Sequence, residues 1–177
     1  TTNTSLTTGR INLGGTPSGT TAIAMAYGGG DGPTENETEE WNFDSTLAAG
    51  AWASGGNLNT ARSQGAGIGT QTAALCAGGN TPPYTADSET YDGSSWTEGN
   101  NLQSARRNAE GTGTTTAGMI VGGVDDAVNT ETELYNGTSW TVSPASLSRG
   151  GGTNGMGISG ASQTSALVFG GEPGTTS

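Results

Sequence analysis

Apolar residues in this chain come in short runs of five or six, each closed by a double glycine. The runs are AIAMAY, AALCA, AGMIV and SALVF, and they lead into Gly28-Gly29, Gly78-Gly79, Gly122-Gly123 and Gly170-Gly171. None has the i, i+3, i+4 spacing of an amphipathic helix. Unbroken hydrophobicity over so short a length predicts a strand buried on both faces. Thirteen residues after the first glycine of the first three pairs stands an aromatic: Trp41, Tyr91 and Tyr135. Two residues before each stands a glutamate: Glu39, Glu89 and Glu133. This Glu-x-aromatic segment predicts another strand, and Trp52, Trp96 and Trp140 mark the one after it.

The second and third units nearly repeat each other here, with YDGSSW at 91–96 and YNGTSW at 135–140. Asp92-Gly93 and Asn136-Gly137 predict tight type I′ hairpin turns, which need positive φ angles. The first unit has eleven rather than five residues from Trp41 to Trp52, which predicts a longer hairpin through NFDSTLAAGA. Upstream of the apolar runs, Gly/Thr-rich stretches such as NAEGTGTTT predict the remaining strand. The fold class is therefore all-β, with four antiparallel strands per unit. A period of 44–50 residues with four strands is the pattern of a β-propeller blade. The chain divides into approximate blades 7–58, 59–102 and 103–147 and a half blade 148–177, one repeat domain over 1–177. About 3.5 blades predict a partial propeller, or a ring completed by another segment or copy.

Composition changes this picture in two ways. Leu, Ile, Val and Phe number only 21 of 177 residues and the net charge is −11, a combination typical of disordered chains. The regular repeat argues against disorder, and it places the core between blades, where tryptophan and tyrosine can pack. Sixteen carboxylates against five arginines exclude nucleic acid and anionic membrane surfaces as partners. No apolar run reaches the ~20 residues of a membrane-spanning helix, so membrane insertion is not expected.

Candidate chemistry is sparse. Histidine is absent, which removes the commonest general base and a major metal ligand. Cys76, inside AALCA, reads as a buried structural thiol with no internal disulfide partner. Asp125 and Asp126 could be offered as a glycosidase pair, but adjacent loop acids read as solvated. Asp31, Asp87, Asp125 and Asp126 do not recur in register as a calcium site would. GAGIGT at 65–70 lacks the following helix of a phosphate loop, and the sequons at Asn3, Asn36 and Asn136 matter only in a eukaryotic secretory setting. No catalytic, cofactor-binding or metal residue, and no cofactor, is expected. Arg10, Arg62, Arg106 and Arg149 recur once per unit, as do Glu39, Glu89 and Glu133. They could form a basic ligand-binding rim. The favoured reading is that each arginine ties strands or loops together through a carboxylate or carbonyls.

An apolar strand ending in Gly-Gly, then a tyrosine, then a tryptophan resembles the kelch repeat. The residues are Gly78, Gly79, Tyr91 and Trp96, and again Gly122, Gly123, Tyr135 and Trp140, and the resemblance covers nearly the whole chain. It implies a propeller whose functions range from scaffolding to oxidation. The kelch-fold copper oxidases use histidine and tyrosine ligands, and this chain has no histidine to supply. Phrases such as YDGSSWTEGNNLQSAR and GTGTTTAGMIVGG are similar to the Gly/Thr-rich kelch-like proteins of aquatic bacteriophages, taken to be virion surface or tail-associated components. The resemblance implies a non-enzymatic structural or recognition module located on the virion surface or extracellularly. Its implied partners are virion proteins or copies of itself, and a host-surface glycan. The loops DGPTENET, NTPPYTAD and VDDAVNT, after the double glycines, are the expected contacts. The alternatives are a secreted bacterial carbohydrate-binding propeller and a self-assembling extracellular fibre subunit.

Overall fold

Each apolar run becomes the second strand of a sheet. The computed structural model describes residues 5–7, 9–16, 23–30, 32–44, 49–150 and 156–171. The first sheet holds β1 (Gly14–Gly15), β2 (Ile23–Tyr27), β3 (Thr38–Asp44) and β4 (Ala49–Ser54). The second holds β5 (Ala66–Thr70), β6 (Ala73–Ala77), β7 (Ser88–Tyr91) and β8 (Trp96–Glu98). The third holds β9 (Glu110–Thr114), β10 (Ala117–Val121), β11 (Thr132–Tyr135) and β12 (Trp140–Val142). A two-stranded sheet, β13 (Met156–Ser162) and β14 (Ser165–Gly170), follows. Neighbouring strands are consecutive and antiparallel throughout, and no helix occurs among the described residues. The fold is all-β, a series of partial-propeller blades whose sheets do not close into a ring among the described residues.

The first strands of successive blades lie side by side, β1 against β5, β5 against β9 and β9 against β13. Glycine makes this approach feasible. A Cβ on Gly67 would stand 2.1 Å from the Gly15 carbonyl oxygen and 2.2 Å from the Tyr27 hydroxyl. Real Cβ atoms do not come so near, so any side chain there would push the first two blades apart.

The core follows the blade interfaces. One buried cluster joins Met25, Tyr27 and Leu58 of the first blade to Ala74, Cys76, Tyr91 and Trp96 of the second. The other joins Ile68, Leu75 and Ala77 of the second to Ile120, Tyr135 and Trp140 of the third. Trp96 packs edge-on against Tyr27, ring centroids 5.2 Å apart, and its Nε1 donates to Thr38 Oγ1 at 3.0 Å. Trp140 Nε1 likewise donates to Ser88 Oγ, at 3.4 Å. Each tryptophan thus buries its ring against the preceding blade and satisfies its one polar atom there.

The hairpins differ from the tight turns that Asp-Gly and Asn-Gly predict. Tyr91 pairs with Trp96 and Tyr135 with Trp140, leaving four loop residues rather than two. Only the glycines adopt positive φ, Gly93 at 96° and Gly137 at 92°. Asp92 Oδ1 accepts from the Ser94 and Ser95 amides, both at 2.9 Å, and Asn136 Oδ1 does the same for Thr138 and Ser139. The side-chain cap makes the wider loop stable, and that loop sets the tyrosine and tryptophan directly opposite each other, centroids 5.0 and 4.9 Å apart. Those amides hold the Asp92 carboxyl down to about 2. In the first blade β3 and β4 extend the hairpin, as its length predicts, with Trp41 opposite Trp52.

Candidate functional site

Three of the four recurring arginines, Arg10, Arg62 and Arg106, are buried. Arg62 and Arg106 are 1% and 0% exposed, and Glu89 and Glu133 are both 0% exposed. Arg62 Nη2 meets Glu89 Oε1 at 2.6 Å, while Nη1 donates to the carbonyls of Gly78 and Asp87 at 3.1 and 2.9 Å. The other carboxylate oxygen, Glu89 Oε2, accepts from the Asn59 amide at 2.7 Å and its Nδ2 at 3.0 Å. Arg106 repeats the plan, with Nη2 2.6 Å from Glu133 Oε1 and Nη1 3.3 Å from the Gly122 carbonyl. Arg10 pairs with Glu39 at 2.8 Å.

The backbone of the same arginine belongs to the blade before. Gly29 N donates to the Arg62 carbonyl at 2.9 Å, and Gly79 N to the Arg106 carbonyl at 2.8 Å. Each residue is therefore a rivet, main chain in one blade and guanidinium in the next. The double glycine is what admits it. Gly78 has φ 64°, and a Cβ there would lie 2.5 Å from the Arg106 carbonyl oxygen. The arginines thus serve as clamps, and their burial removes them from any ligand-binding rim.

Arg149 departs from this plan. It is exposed and makes no ion pair among the described residues. Leu58, Leu102 and Leu147 hold one structural position, each amide bonded to the loop of its own sheet. Arg62 and Arg106 follow that leucine by four residues and Arg149 by two. Recurrence once per unit does not reveal this shift.

The remaining candidates separate cleanly. Cys76 is fully buried, and burial pushes its thiol up to about 12, which leaves it unreactive. Asp125 Oδ1 accepts from the Ala127 amide at 2.9 Å, and Asp126 takes the Tyr84 hydroxyl. Asp87 accepts from Asn101 Nδ2 at 2.9 Å. These acids brace loops, and no group of three or more metal-binding side chains gathers among the described residues. Asn36 donates from Nδ2 to the Leu58 carbonyl at 3.0 Å. Asp31 and Asn3 lie outside the described residues.

One arrangement escaped the sequence reading. Asn12, Gln64 and Asn108 stand two residues after successive clamp arginines, all with left-handed φ of 55–59°. Gln64 N donates to the Asn12 carbonyl at 2.8 Å and Asn108 N to the Gln64 carbonyl at 3.0 Å. This backbone ladder crosses the blades on the face that carries the loops after the double glycines. A cleft of about 380 Å³ opens there, lined by Asn12, Thr34, Gln64, Asn80, Pro82 and Arg107. Arg107 Nη1 donates to Gln64 Oε1 at 3.3 Å, and its Nε is buried with no partner among the described residues. The cleft thus offers amides, hydroxyls and one guanidinium that forms no ion pair among the described residues. An amide side chain two residues beyond each of Arg10, Arg62 and Arg106 was the available signal.

No known protein family and no curated protein matches the chain. Solved structures do, and they share its fold. YjhT, described as "Structure of YjhT", matches with a TM-score of 0.63 at 14% identity. The match covers 78% of this chain and 47% of that one, so the aligned part is about half of YjhT. At this identity the likeness concerns the propeller-type fold alone.

Proposed function

We propose that this chain is a non-enzymatic structural and recognition module of kelch type, carried on the surface of a bacteriophage particle as a capsid decoration or tail-associated component. One observation carries the reading. The charges that recur in the three four-stranded blades are engaged inside them, while the first two of the loops that differ between blades line an open polar cleft through Gly32, Pro33, Thr34, Asn80 and Pro82. A scaffold that is constant inside and variable on one face suits recognition. The cleft's amides, hydroxyls and guanidinium fit a hydroxylated ligand such as a host-surface glycan, and the net charge of −11 disfavours polyanions. The Gly/Thr-rich texture of the repeats supports the phage setting.

The test has two arms. The protein is sought in purified particles by mass spectrometry, and the isolated chain is screened on a glycan array beside Arg107→Ala. Presence in particles, with glycan binding reduced at least about tenfold by the loss of a charged hydrogen-bond donor, is the expected result. Glycan binding without particle association would favour the secreted carbohydrate-binding propeller. Failure of both arms overturns the proposal.

A further inference from the structure

We propose that Asn136 is a self-modification site, at which the Gly137 main-chain nitrogen attacks the side-chain carbonyl carbon and expels ammonia. Asn136 and Gly137 lie at the tip of the third-blade hairpin, and both are exposed to water. Gly137 has no Cβ to obstruct its nitrogen, which donates no backbone hydrogen bond among the described residues. Nucleophile and electrophile are neighbours in the chain, so their encounter costs no translational freedom.

The loop supplies the rest of the chemistry. Attack on the side-chain carbonyl puts negative charge on Asn136 Oδ1. The Thr138 and Ser139 amides already donate to that oxygen, both at 2.9 Å. Main-chain donors aimed at a developing oxyanion lower the barrier to forming it. Nδ2, the leaving nitrogen, donates to Ser139 Oγ at 3.4 Å. Once attack ends its conjugation with the carbonyl, Nδ2 can accept a proton from that hydroxyl. The Gly137 N–H proton passes to water, the bond from carbon to Nδ2 breaks, and ammonia departs. The cyclic succinimide left behind takes up one water. Opening on the side-chain carbonyl gives aspartate, and opening on the main-chain carbonyl gives isoaspartate.

The second blade already contains the aspartate form of this turn. Asp92 Oδ1 accepts from the Ser94 and Ser95 amides at 2.9 Å, as Asn136 does from its own pair. Aspartate at 136 therefore fits the loop unchanged, whereas isoaspartate lengthens the main chain between Tyr135 and Trp140. Those amides also keep Asp92 ionised. A carboxylate is a poor electrophile, so the matching Asp92–Gly93 pair does not react.

The full chain is aged at neutral pH, then denatured and cut with trypsin, which isolates residues 108–149. Mass spectrometry with electron-transfer fragmentation follows residue 136 and separates aspartate from isoaspartate. The reference is the peptide LYNGTSW, residues 134–140, which is too short to hold the hairpin. Asn136 should react about tenfold faster in the folded chain, the scale of a charge-assisted hydrogen bond. Aspartate should form a larger share of the product there than in the peptide. Ser139→Ala should slow the reaction severalfold and Ser139→Thr should restore it, with Trp140 fluorescence showing that each variant is folded. A folded-chain rate at or below that of the peptide overturns the proposal. So does a rate unchanged by Ser139→Ala, or isoaspartate appearing at residue 92 as fast as at 136.

Discussion

Replacing Arg106 with alanine tests whether the clamps hold the blades together. The substitution removes contacts to Glu133 at 2.6 Å, to Glu131 at 2.9 Å, and to the Gly122 and Glu131 carbonyls at 3.3 and 3.4 Å. The Glu131 side chain is 42% exposed and recovers water, so its loss is small. Glu133 is 0% exposed and, among the described residues, keeps the Gln103 amide at 2.8 Å. Removing one partner of a buried pair costs about 3–5 kcal/mol, because the other charge stays buried and uncompensated. For a domain of this size each kcal/mol lowers Tm by about 2–4 °C, so the expected drop is roughly 6–20 °C. Urea and thermal unfolding followed by tryptophan fluorescence read it directly, since Trp96 and Trp140 are buried at the interfaces. Two controls make the cause specific. Arg149→Ala, at an exposed position outside any clamp, should leave Tm unchanged. Arg106→Met combined with Glu133→Leu should recover much of the loss, because neither charge is then stranded. A loss from Arg106→Ala below about 1 kcal/mol, the range of exposed ion pairs, would refute the clamp.

Two further outcomes follow from the same geometry. Gly78→Ala should destabilise by about 1–3 kcal/mol, since a left-handed residue gains a Cβ that collides with the Arg106 carbonyl; a neutral result in urea titration would show that the double glycine is not a steric requirement. Burial raises the Glu110 carboxyl above its ordinary value, so the folded state binds the proton more tightly. Stability is then full below the unfolded value and falls as pH rises through the carboxylate range; Glu110→Gln should flatten that fall in a series of urea midpoints, and an unchanged slope would assign it elsewhere.

Much of the fold was legible because its signals are local. The apolar runs before Gly28, Gly78, Gly122 and Gly170 became second strands, and the Glu-x-aromatic segments became third strands one step along the sheet. The longer spacing from Trp41 to Trp52 correctly announced longer paired strands. The turn chemistry was misread in detail, because a dipeptide does not reveal that Asp92 will cap the amides of Ser94 and Ser95 instead of closing a two-residue loop. Arg149 was misplaced because recurrence once per unit does not show that it stands two residues rather than four after the leucine, here Leu147, whose backbone bond fixes the structural position.

The amino-acid sequence by itself determined the strand order, the period and the residues that recur in each blade. Those depend on hydrophobic runs and glycine punctuation, which act within a few residues. Only the tertiary structure decided that each clamp arginine has its main chain in one blade and its guanidinium in the next. It also decided that Asn12, Gln64 and Asn108 form a ladder beside a polar cleft. These features join groups distant in the chain, 27 residues apart for Arg62 and Glu89, and burial is a property of neighbours that no single stretch of sequence carries.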